Sequence, residues 1–496
     1  MNALLNTHTT PSDSGVYAAR RARLAAALGP NAVAIIPTAP ERPRNRDADF
    51  PYRFDSYFFY LCGFTEPNAC LVIDASGHTS LLCQPKDLER EIWDGYRLGP
   101  EDAPSALGVD VAVDSNTIDD FVPQCLENKA VVWWPFATHA AMSQRVDGWL
   151  DKVRAKARAG VRCPDTQRDL CALLDDMRVV KDTHELATMR RAAAISAGGH
   201  IRAMQRSAKG LLAGADVREY HLEAELLHAF RDAGAQFPAY TSIVAAGANA
   251  CVLHYRAGNA PVKSGDLVLI DAGCELDGYA SDITRTFPAN GRFSGPQRDV
   301  YALVLASQDA AVAATRAGAR FNDPHEATLG VLAQGLLDLG ILNKDKVGTA
   351  NDVIANKSYS PFYMHRTSHW LGMDVHDCGA YSEPVAPGEA TQSRILKAGM
   401  VLTIEPGLYI RPQPDVPAAF HHIGIRIEDD AVVTPTGCEL ISRGVPVEPD
   451  AIEARAVSAA RNRISALECE SALEFSARRA ASEARGIETS IAALFD

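Results

Sequence analysis

Short apolar runs alternate with helical stretches over the first third of the chain. A helix is predicted over residues 17–30, because the stretch ends at a Gly-Pro pair. Four later runs are bounded by turn residues and have the length of buried strands: NAVAIIP (31–37), ACLVIDASG (69–77), TSLLCQP (79–85) and AVVWWPF (130–136). A helical stretch follows over residues 145–160. The pattern predicts an α/β domain over residues 1–177.

The pattern changes near residue 178. A long amphipathic stretch over residues 177–208 predicts a helix with one break at Gly198-Gly199, and a second helix is predicted over residues 216–234. Strands are predicted in TSIVAAG, LVLIDAG, ASDITRTF, MVLTIEPGLYI and GIRIEDDAVVT, with two helices between them, at about 297–318 and 325–340. We assign residues 178–449 to a second domain.

The last segment, residues 450–496, is rich in Ala, Glu and Arg, which are strong helix formers. It is interpreted as a helical tail that packs against the protein, and an interaction or oligomerisation arm is the alternative.

Composition narrows the class of protein. The 496 residues are 47% hydrophobic and 22% charged, with a formal net charge of -13 and no long basic run, which argues against nucleic acid or an anionic membrane as a partner. No stretch reaches the roughly 18 apolar residues of a membrane span. The first 15 residues do not read as a secretory signal, and the 11 cysteines form no C-x-x-C pair. We therefore expect a reducing, cytoplasmic compartment.

Residues 267–286, LVLIDAGCELDGYASDITRT, bring two aspartates close together in a β-favouring stretch. In a hairpin with a four-residue loop at 275–278, Asp271 lies opposite Asp282; with a tighter Asp277-Gly278 turn, the two become diagonal neighbours. In both registers their side chains point to the same face. Two ionised carboxylates in an apolar sheet require a proton or a cation between them. Two unrelated aspartates near a turn are the alternative for this hairpin alone.

Two glutamates further along the chain have similar surroundings. Glu405 ends an apolar run, and Pro406 keeps that segment extended. In IGIRIEDD three isoleucines alternate with other residues, so that Arg426 and Glu428 share the opposite face. Together with Asp271 and Asp282, these glutamates form a set of four acids suited to hard divalent cations.

Histidines complete the candidate site. The segment FYMHRTSHWLGMDVHD contains His365, His369 and His376. The first two have the spacing of the zinc-protease motif H-E-x-x-H, but Arg366 replaces the acid and Trp-Leu-Gly does not favour a helix, so we disfavour that motif. We expect one of the three as a metal ligand and the others around it. His254 is a fourth candidate, although taken alone it is more typical of a half-buried structural histidine.

The charge balance favours two metal ions. The four acids sum to -4, two divalent cations supply +4, and a neutral imidazole adds a ligand without charge. Bridging carboxylates would hold the ions about 3.5–4 Å apart, a spacing that clamps a bridging water or hydroxide. Such a centre suits the hydrolysis of an unreactive amide, because the cations lower the pKa of water and polarise the carbonyl group.

Several motifs together resemble those of the aminopeptidase P family: DAGCELDGYASDITRTFPANG, HRTSHWLGMDVHD, TIEPGLYI and GIRIEDD. The segments at 39–73 and 89–104 also resemble the N-terminal, creatinase-like domain of that family. The resemblance implies an α+β chain, in which a creatinase-like α/β domain is followed by a pita-bread catalytic domain. It extends over most of the chain but stops near residue 460.

The resemblance implies a role for each site residue. Asp271 would bind one metal alone, Asp282 and Glu428 would bridge both metals, and His369 and Glu405 would complete the second. Glu405 would also accept a proton from the nucleophilic water. His254 and His376 match histidines that contact substrate and steady the tetrahedral intermediate. The residues that match the pocket for proline are His365, Tyr409 and Arg426.

The implied enzyme is a metallo-exopeptidase that hydrolyses the N-terminal Xaa-Pro bond of peptides, with two divalent ions per chain, preferentially Mn²⁺. The alternative is prolidase, which cuts Xaa-Pro dipeptides and shares all five ligands. An inactive pita-bread binding protein is disfavoured because all five ligands are present, and a creatinase-type enzyme because its reaction does not use the metals.

Two features bear on substrate and assembly. Arg366 stands where the family commonly has a small glycine, so the pocket beside His365 is expected to differ in shape or charge. The family resemblance also implies a homo-oligomer, a dimer or a tetramer. Trp93 matches a tryptophan of the N-terminal domain that reaches the active site of a neighbouring subunit in some relatives.

Overall fold

The chain folds into two compact units. The computed structural model describes residues 14–386 and 389–455. One unit comprises the chain up to His184 together with Asp377–Ala380, and the other comprises Glu185–His376 and the chain from Tyr381 onward. The domain bounds expected from the sequence, at 177/178 and 449/450, stay predictions, and residues 456–496 of the expected tail lie outside the described residues. No helix within the described ranges is both long and apolar enough to cross a membrane.

The first unit contains seven α-helices and eight strands in its described part. The helices are α1 Ser14–Ala27, α2 Ser56–Cys62, α3 Leu88–Asp94, α4 Gly99–Leu107, α5 Ile118–Leu126, α6 Met142–Arg154 and α7 Cys171–Val179. The strands are β1 Ala32–Pro37, β2 Pro43–Asn45, β3 Ala48–Asp49, β4 Cys70–Asp74, β5 Thr79–Cys83, β6 Val111–Asp114, β7 Val131–Trp134 and β8 Thr166–Asp169.

A six-stranded mixed sheet organises this unit, in the order β6-β5-β4-β1-β7-β8. The four apolar runs predicted as strands form β1, β4, β5 and β7, all of them in this sheet. Side chains from β1, β4, β5 and β7 pack with α5 and α6 in one hydrophobic core. The helices complete an α/β arrangement, as the alternation of apolar runs and helical stretches predicts.

The second unit contains the remaining elements. Its helices are α8 Thr183–Leu212, which starts at the boundary, α9 Glu219–Asp232, α10 Gly295–Ala314, α11 Asp323–Asp338, α12 Lys344–Val347 and α13 Ala350–Ala355. Its strands are β9 Phe237–Pro238, β10 Ile243–Ala246, β11 Leu267–Asp271, β12 Cys274–Leu276, β13 Tyr279–Ala280, β14 Thr284–Pro288, β15 Val401–Ile404, β16 Gly407–Ile410, β17 Ile423–Arg426, β18 Asp429–Val433 and β19 Cys438–Leu440.

Helix α8 corrects one expectation, because it runs through Gly198 and Gly199 without a break. Gly199 is buried, and a Cβ atom at this position would lie 2.9 Å from Cε1 of Phe230 on α9. The glycine therefore allows α9 to approach α8 closely, and packing offsets its low intrinsic helix propensity.

The strands of the second unit form small antiparallel sheets, and three of the four predicted acids lie in short gaps between two consecutive strands. Asp282 lies between β13 and β14, Glu405 between β15 and β16, and Glu428 between β17 and β18, whereas Asp271 is the last residue of β11. The predicted placement of Asp282 inside a strand is thus wrong. The strand ladders are therefore interrupted at these three acids.

The 267–286 hairpin adopts the tighter of the two registers considered. Asp271 pairs with Thr284 in the β11–β14 ladder, and Leu276 pairs with Tyr279 across the Asp277-Gly278 turn. Both turn residues have positive φ, 51° and 79°, as a type I′ turn requires. Asp282 is therefore a diagonal neighbour of Asp271. Gly273 lies between the two aspartates in the hairpin. No side chain fits at this position, because a Cβ atom would lie 1.7 Å from the Ser281 carbonyl oxygen.

Candidate metal centre

A cavity of about 760 Å³ brings the predicted site residues together. All of its lining residues belong to the second unit. Of the predicted residues, nine line it: His254, Asp271, Asp282, His365, His369, His376, Glu405, Arg426 and Glu428. The tenth, Tyr409, is fully buried and hydrogen-bonds to two of them, His365 and Arg426.

Three of these residues form a compact set of potential ligands. Asp282, His369 and Glu428 each offer an atom that lies within 4.8 Å of the others. His369 Nε2 lies 3.4 Å from Asp282 Oδ2 and 3.6 Å from Glu405 Oε1. The other ring nitrogen, Nδ1, is 2.9 Å from the Trp370 carbonyl oxygen, which orients the ring so that Nε2 faces the acids.

Asp271 is held from two sides. Arg426 donates a hydrogen bond from Nη2 to Asp271 Oδ2, and the Arg426 side chain is itself buried. The Tyr240 hydroxyl lies between Asp271 Oδ1 and Asp282 Oδ1, within hydrogen-bond reach of both. No periodicity in the sequence marks Tyr240 for this position. Only the packing of the segment before β10 against β11 brings it there.

The backbone around the acids is supported by a second group of charged residues that the sequence analysis missed. Asp430 accepts hydrogen bonds from the Asp282 amide, at 3.1 and 3.3 Å. Arg285 donates to Asp429 Oδ1 at 2.7 Å and to the Glu428 carbonyl oxygen. Both aspartates are fully buried, although they directly follow Glu428. The signal available in the sequence was the run Glu-Asp-Asp in an apolar strand, in which only the first acid was considered.

Glu428 is positioned by one neighbouring threonine. Thr284 accepts a hydrogen bond at its carbonyl oxygen from the Glu428 amide, at 3.0 Å, and donates from Oγ1 to Glu428 Oε2, at 2.6 Å. The same Oγ1 accepts a hydrogen bond from Arg426 Nε at 3.0 Å. The side chains of Ile423, Ile425 and Ile427 pack in the core, so the alternation in this strand aims Arg426 and Glu428 at the cavity.

Burial and the close approach of the acids change the pKa values of the ionisable groups in the cluster. Burial raises the pKa of Glu405 to about 7, against the opposing effect of His369. Burial and the neighbouring carboxylates raise the pKa of Glu428 well above its usual value. Burial opposes the protonation of His369, but Asp282 and Glu405 outweigh it and raise the pKa to about 9. The unbalanced negative charge of the four acids is what a pair of divalent cations would neutralise.

The other histidines lie around this cluster. The His376 ring lies edge-on to the His369 ring, with centroids 4.4 Å apart, and His254 lines the cavity from an exposed position. His365 Nε2 is 2.9 Å from the Tyr409 hydroxyl, and burial followed by the charge of Arg426 lowers the His365 pKa to about 3. The segment that holds His365 and His369 is not helical, which agrees with rejection of the zinc-protease motif.

Comparisons with known proteins define the class. Residues 187–435 match the family described as metallopeptidase family M24, and residues 17–133 match the aminopeptidase P N-terminal domain. The Xaa-Pro aminopeptidase of Escherichia coli strain K12 is 42% identical over 444 residues, which cover 89% of this chain and 97% of that protein.

Solved structures show the same relation. Pseudomonas aeruginosa aminopeptidase PepP has a TM-score of 0.85 and 46% identity, covering 90% of this chain and 98% of that one. Aminopeptidase P from E. coli with the inhibitor Pro-Leu has a TM-score of 0.84 and 41% identity, covering 90% and 99%. This chain belongs to the aminopeptidase P family of M24 metallopeptidases. The predictions of the family, of a creatinase-like domain followed by a pita-bread domain, and of a metallo-exopeptidase are confirmed.

Replacement of Tyr240 by phenylalanine tests how the acids are held. Tyr240→Phe keeps the ring but removes the hydroxyl shared by Asp271 and Asp282, so we expect divalent-metal affinity to fall about 10- to 100-fold. Calorimetric titration of Mn²⁺ into metal-free protein measures the affinity. Tyr220→Phe, at an exposed tyrosine on α9, is the matched control and should bind as the unaltered protein does. Equal affinity in Tyr240→Phe would show that the hydroxyl does not position the acids.

Proposed function

We propose that this metallopeptidase removes the N-terminal residue from peptides whose second residue is proline, and that its catalytic domain, residues 178–449, uses two divalent metal ions. The observation that carries the proposal is the convergence of Asp282, His369 and Glu428, with Asp271 and Glu405 beside them, in one cavity of an M24 chain. The names of the relatives support the choice of substrate.

The donor set fits two cations. We assign Asp271 to one ion and His369 with Glu405 to the other, and both ions would share Asp282 and Glu428. Four carboxylates and one imidazole are a hard, oxygen-rich set, which favours Mn²⁺ over Zn²⁺. The raised pKa values of Glu405 and Glu428 support the fit, because burial and the neighbouring carboxylates outweigh the opposing effect of Arg426 on both acids.

Two bound cations would activate a shared water as hydroxide and polarise the scissile carbonyl group. The side chains of this chain perform the remaining tasks. Glu405 accepts the proton of the attacking water and passes it on to the leaving nitrogen. His254 and His376 line the cavity and donate hydrogen bonds to the oxygen on which negative charge develops.

Proline after the scissile bond requires a particular pocket. An Xaa-Pro bond has no amide N–H, and its ring fixes the backbone, so recognition depends on shape and not on a hydrogen bond from that nitrogen. We assign this pocket to His365, Tyr409 and Arg426. The three side chains form a hydrogen-bonded chain, with His365 Nε2 at 2.9 Å and Arg426 Nη1 at 2.8 Å from the Tyr409 hydroxyl. The hydrogen bonds among these three side chains make this wall of the pocket rigid.

A comparison of peptide lengths tests the proposed activity. We expect the Mn²⁺-loaded protein to release alanine from Ala-Pro-Ala-Ala at least as efficiently as from Ala-Pro, and to leave Ala-Ala-Ala-Ala uncut; liquid chromatography measures the products. Cleavage of Ala-Pro alone would identify a prolidase instead.

Asp271→Ala and Glu428→Ala should abolish turnover while the circular dichroism spectrum stays unchanged. Elemental mass spectrometry of the active protein should find two metal ions per chain, and one ion at full activity would contradict the dinuclear site.

Metal binding should stabilise the protein more as the pH rises. Glu405 has a folded-state pKa of about 7, raised from 4.5, so in the metal-free protein its contribution to stability is full below about pH 4.5 and lost as pH rises through 7. His369, raised from 6.5 to about 9, acts in the same direction at higher pH. Bound cations replace these protons.

We therefore expect the increase in melting temperature caused by Mn²⁺ to grow from pH 5 to pH 8. At about a hundredfold excess over Kd, each bound ion should contribute about 2.7 kcal/mol of stabilisation. Differential scanning fluorimetry with and without Mn²⁺ measures it, and Glu405→Gln, which cannot ionise, should show a shallower dependence. An increase that does not change with pH would contradict this coupling.

Compartment and assembly complete the proposal. The ten cysteines of the described part of the chain are all free, which supports a reducing, cytoplasmic compartment. Helix α3 exposes three large apolar side chains, Leu88, Ile92 and Trp93, each about 80% accessible. We propose that this face is buried in a homo-oligomer, a dimer or a tetramer.

Light scattering tests the assembly. The unaltered protein should have a mass that is a multiple of 53.4 kDa, and Trp93→Ala should shift the distribution toward the monomer. Phe50→Ala, at another exposed apolar side chain of the same unit, is the control. A monomeric mass for the unaltered protein at micromolar concentration would rule the assembly out.

A further inference from the structure

Two arginines of the cavity are not used by the metal centre. Of the charged side chains that line the cavity, the four acids form the candidate metal centre, and Arg426 is paired with Asp271. Setting the histidines aside, the lining residues that remain charged are Arg256 and Arg366. Once two cations balance the four acids, the rest of the cavity therefore carries an excess of positive charge.

Both arginines are exposed and available to a ligand. Within residues 14–386 and 389–455, neither side chain takes part in any of the ion pairs or hydrogen bonds recorded for the structure, whereas exposed arginines elsewhere in the unit, such as Arg190 and Arg202, pair with glutamates. Guanidinium groups stay protonated and present a planar pair of donors that matches a carboxylate. Arg256 and Arg366 are thus two exposed guanidinium groups on the lining of the cavity, without an ion-pair partner in the described part of the chain.

Their places in the chain relate them to the substrate path. Arg256 follows His254 by two residues, and Arg366 directly follows His365; both histidines line the cavity. The free amino group of a substrate is positive, so the two arginines repel it. The arginines are therefore expected to contact the part of the peptide that follows proline.

We propose that Arg256 and Arg366 bind a carboxylate of the substrate on the carboxyl side of proline. This inference rests on the proposed function and refines it: the preferred substrates are short peptides whose terminal carboxylate lies near the proline, or longer peptides with an acidic residue there. Because both guanidinium groups are exposed, salt screens their attraction. The interaction forms on binding and is not specific to the transition state, so it lowers KM and leaves kcat unchanged.

Two pairs of peptides separate the two sources of a carboxylate. Ala-Pro-Ala as a free acid is compared with its C-terminal amide, and Ala-Pro-Glu-amide is compared with Ala-Pro-Gln-amide, at low and at high salt. In the Mn²⁺-loaded protein we expect the carboxylate-bearing member of at least one pair to have a KM about three- to tenfold lower at low salt, with equal kcat.

The variants Arg256→Gln, Arg366→Gln and their double variant should reduce this preference, and the double variant should abolish it. Arg366→Lys should retain part of it. Arg292→Gln is the matched control, because Arg292 is an exposed arginine of the same unit that does not line the cavity.

An unchanged preference in the double variant, or an equal loss in Arg292→Gln, would overturn the inference, as would equal KM values within both pairs for the unaltered protein. If instead the unaltered protein cuts neither the charged nor the neutral peptides, the proposed function itself fails, and the two failures are thereby distinguished.

Discussion

The structure of the second unit depends on four carboxylates that lie close together inside an apolar fold. Asp271, Asp282, Glu405 and Glu428 repel one another, and desolvation penalises the charge of each. An apolar core alone would expel them or keep them protonated. The fold holds them in place through donors aimed at each group, chiefly Arg426, Tyr240 and Thr284. The proposed metal chemistry follows from this forced proximity, because divalent cations would balance the charge.

The interruptions of the small sheets have the same origin. A regular strand sends successive side chains to alternate faces, so one unbroken ladder could not bring four acids from three strand pairs to one point. Breaks at Asp282, Glu405 and Glu428 release the backbone, and other groups satisfy the polar atoms freed in this way. Asp430 accepts from the Asp282 amide, and the Glu428 amide donates to the Thr284 carbonyl oxygen. Arg285 and Asp429 form a buried ion pair behind this arrangement. The supporting residues hold the backbone of the acids in position, although none of the four lines the cavity: Thr284, Arg285, Asp429 and Asp430.

Features of the fold and site could be predicted from the sequence where neighbouring residues in the chain determine them. Strands β1, β4, β5 and β7 of the first unit and the long helices were predictable because their patterns are local. Strands β6 and β8, whose residues are exposed or half-buried, were not predicted. The break predicted in α8 was wrong because the close approach of Phe230, which Gly199 permits, is a tertiary contact. For the 267–286 hairpin the sequence left two registers open, and the structure adopts the turn in which Asp277 and Gly278 take positive φ.

By itself the sequence determined the class of chemistry: the alternation around Arg426 and Glu428, the two aspartates of one hairpin and the histidine segment together specify a carboxylate-rich metal site. The tertiary structure alone decided which further residues serve that site. Tyr240, Asp429 and Asp430 carry no periodic signal, and the pairing of Arg426 with Asp271 joins residues 155 positions apart. The physical reason is that hydrophobic periodicity records which face of an element is buried, whereas the partner of a buried charge is set by contacts between elements distant in the chain.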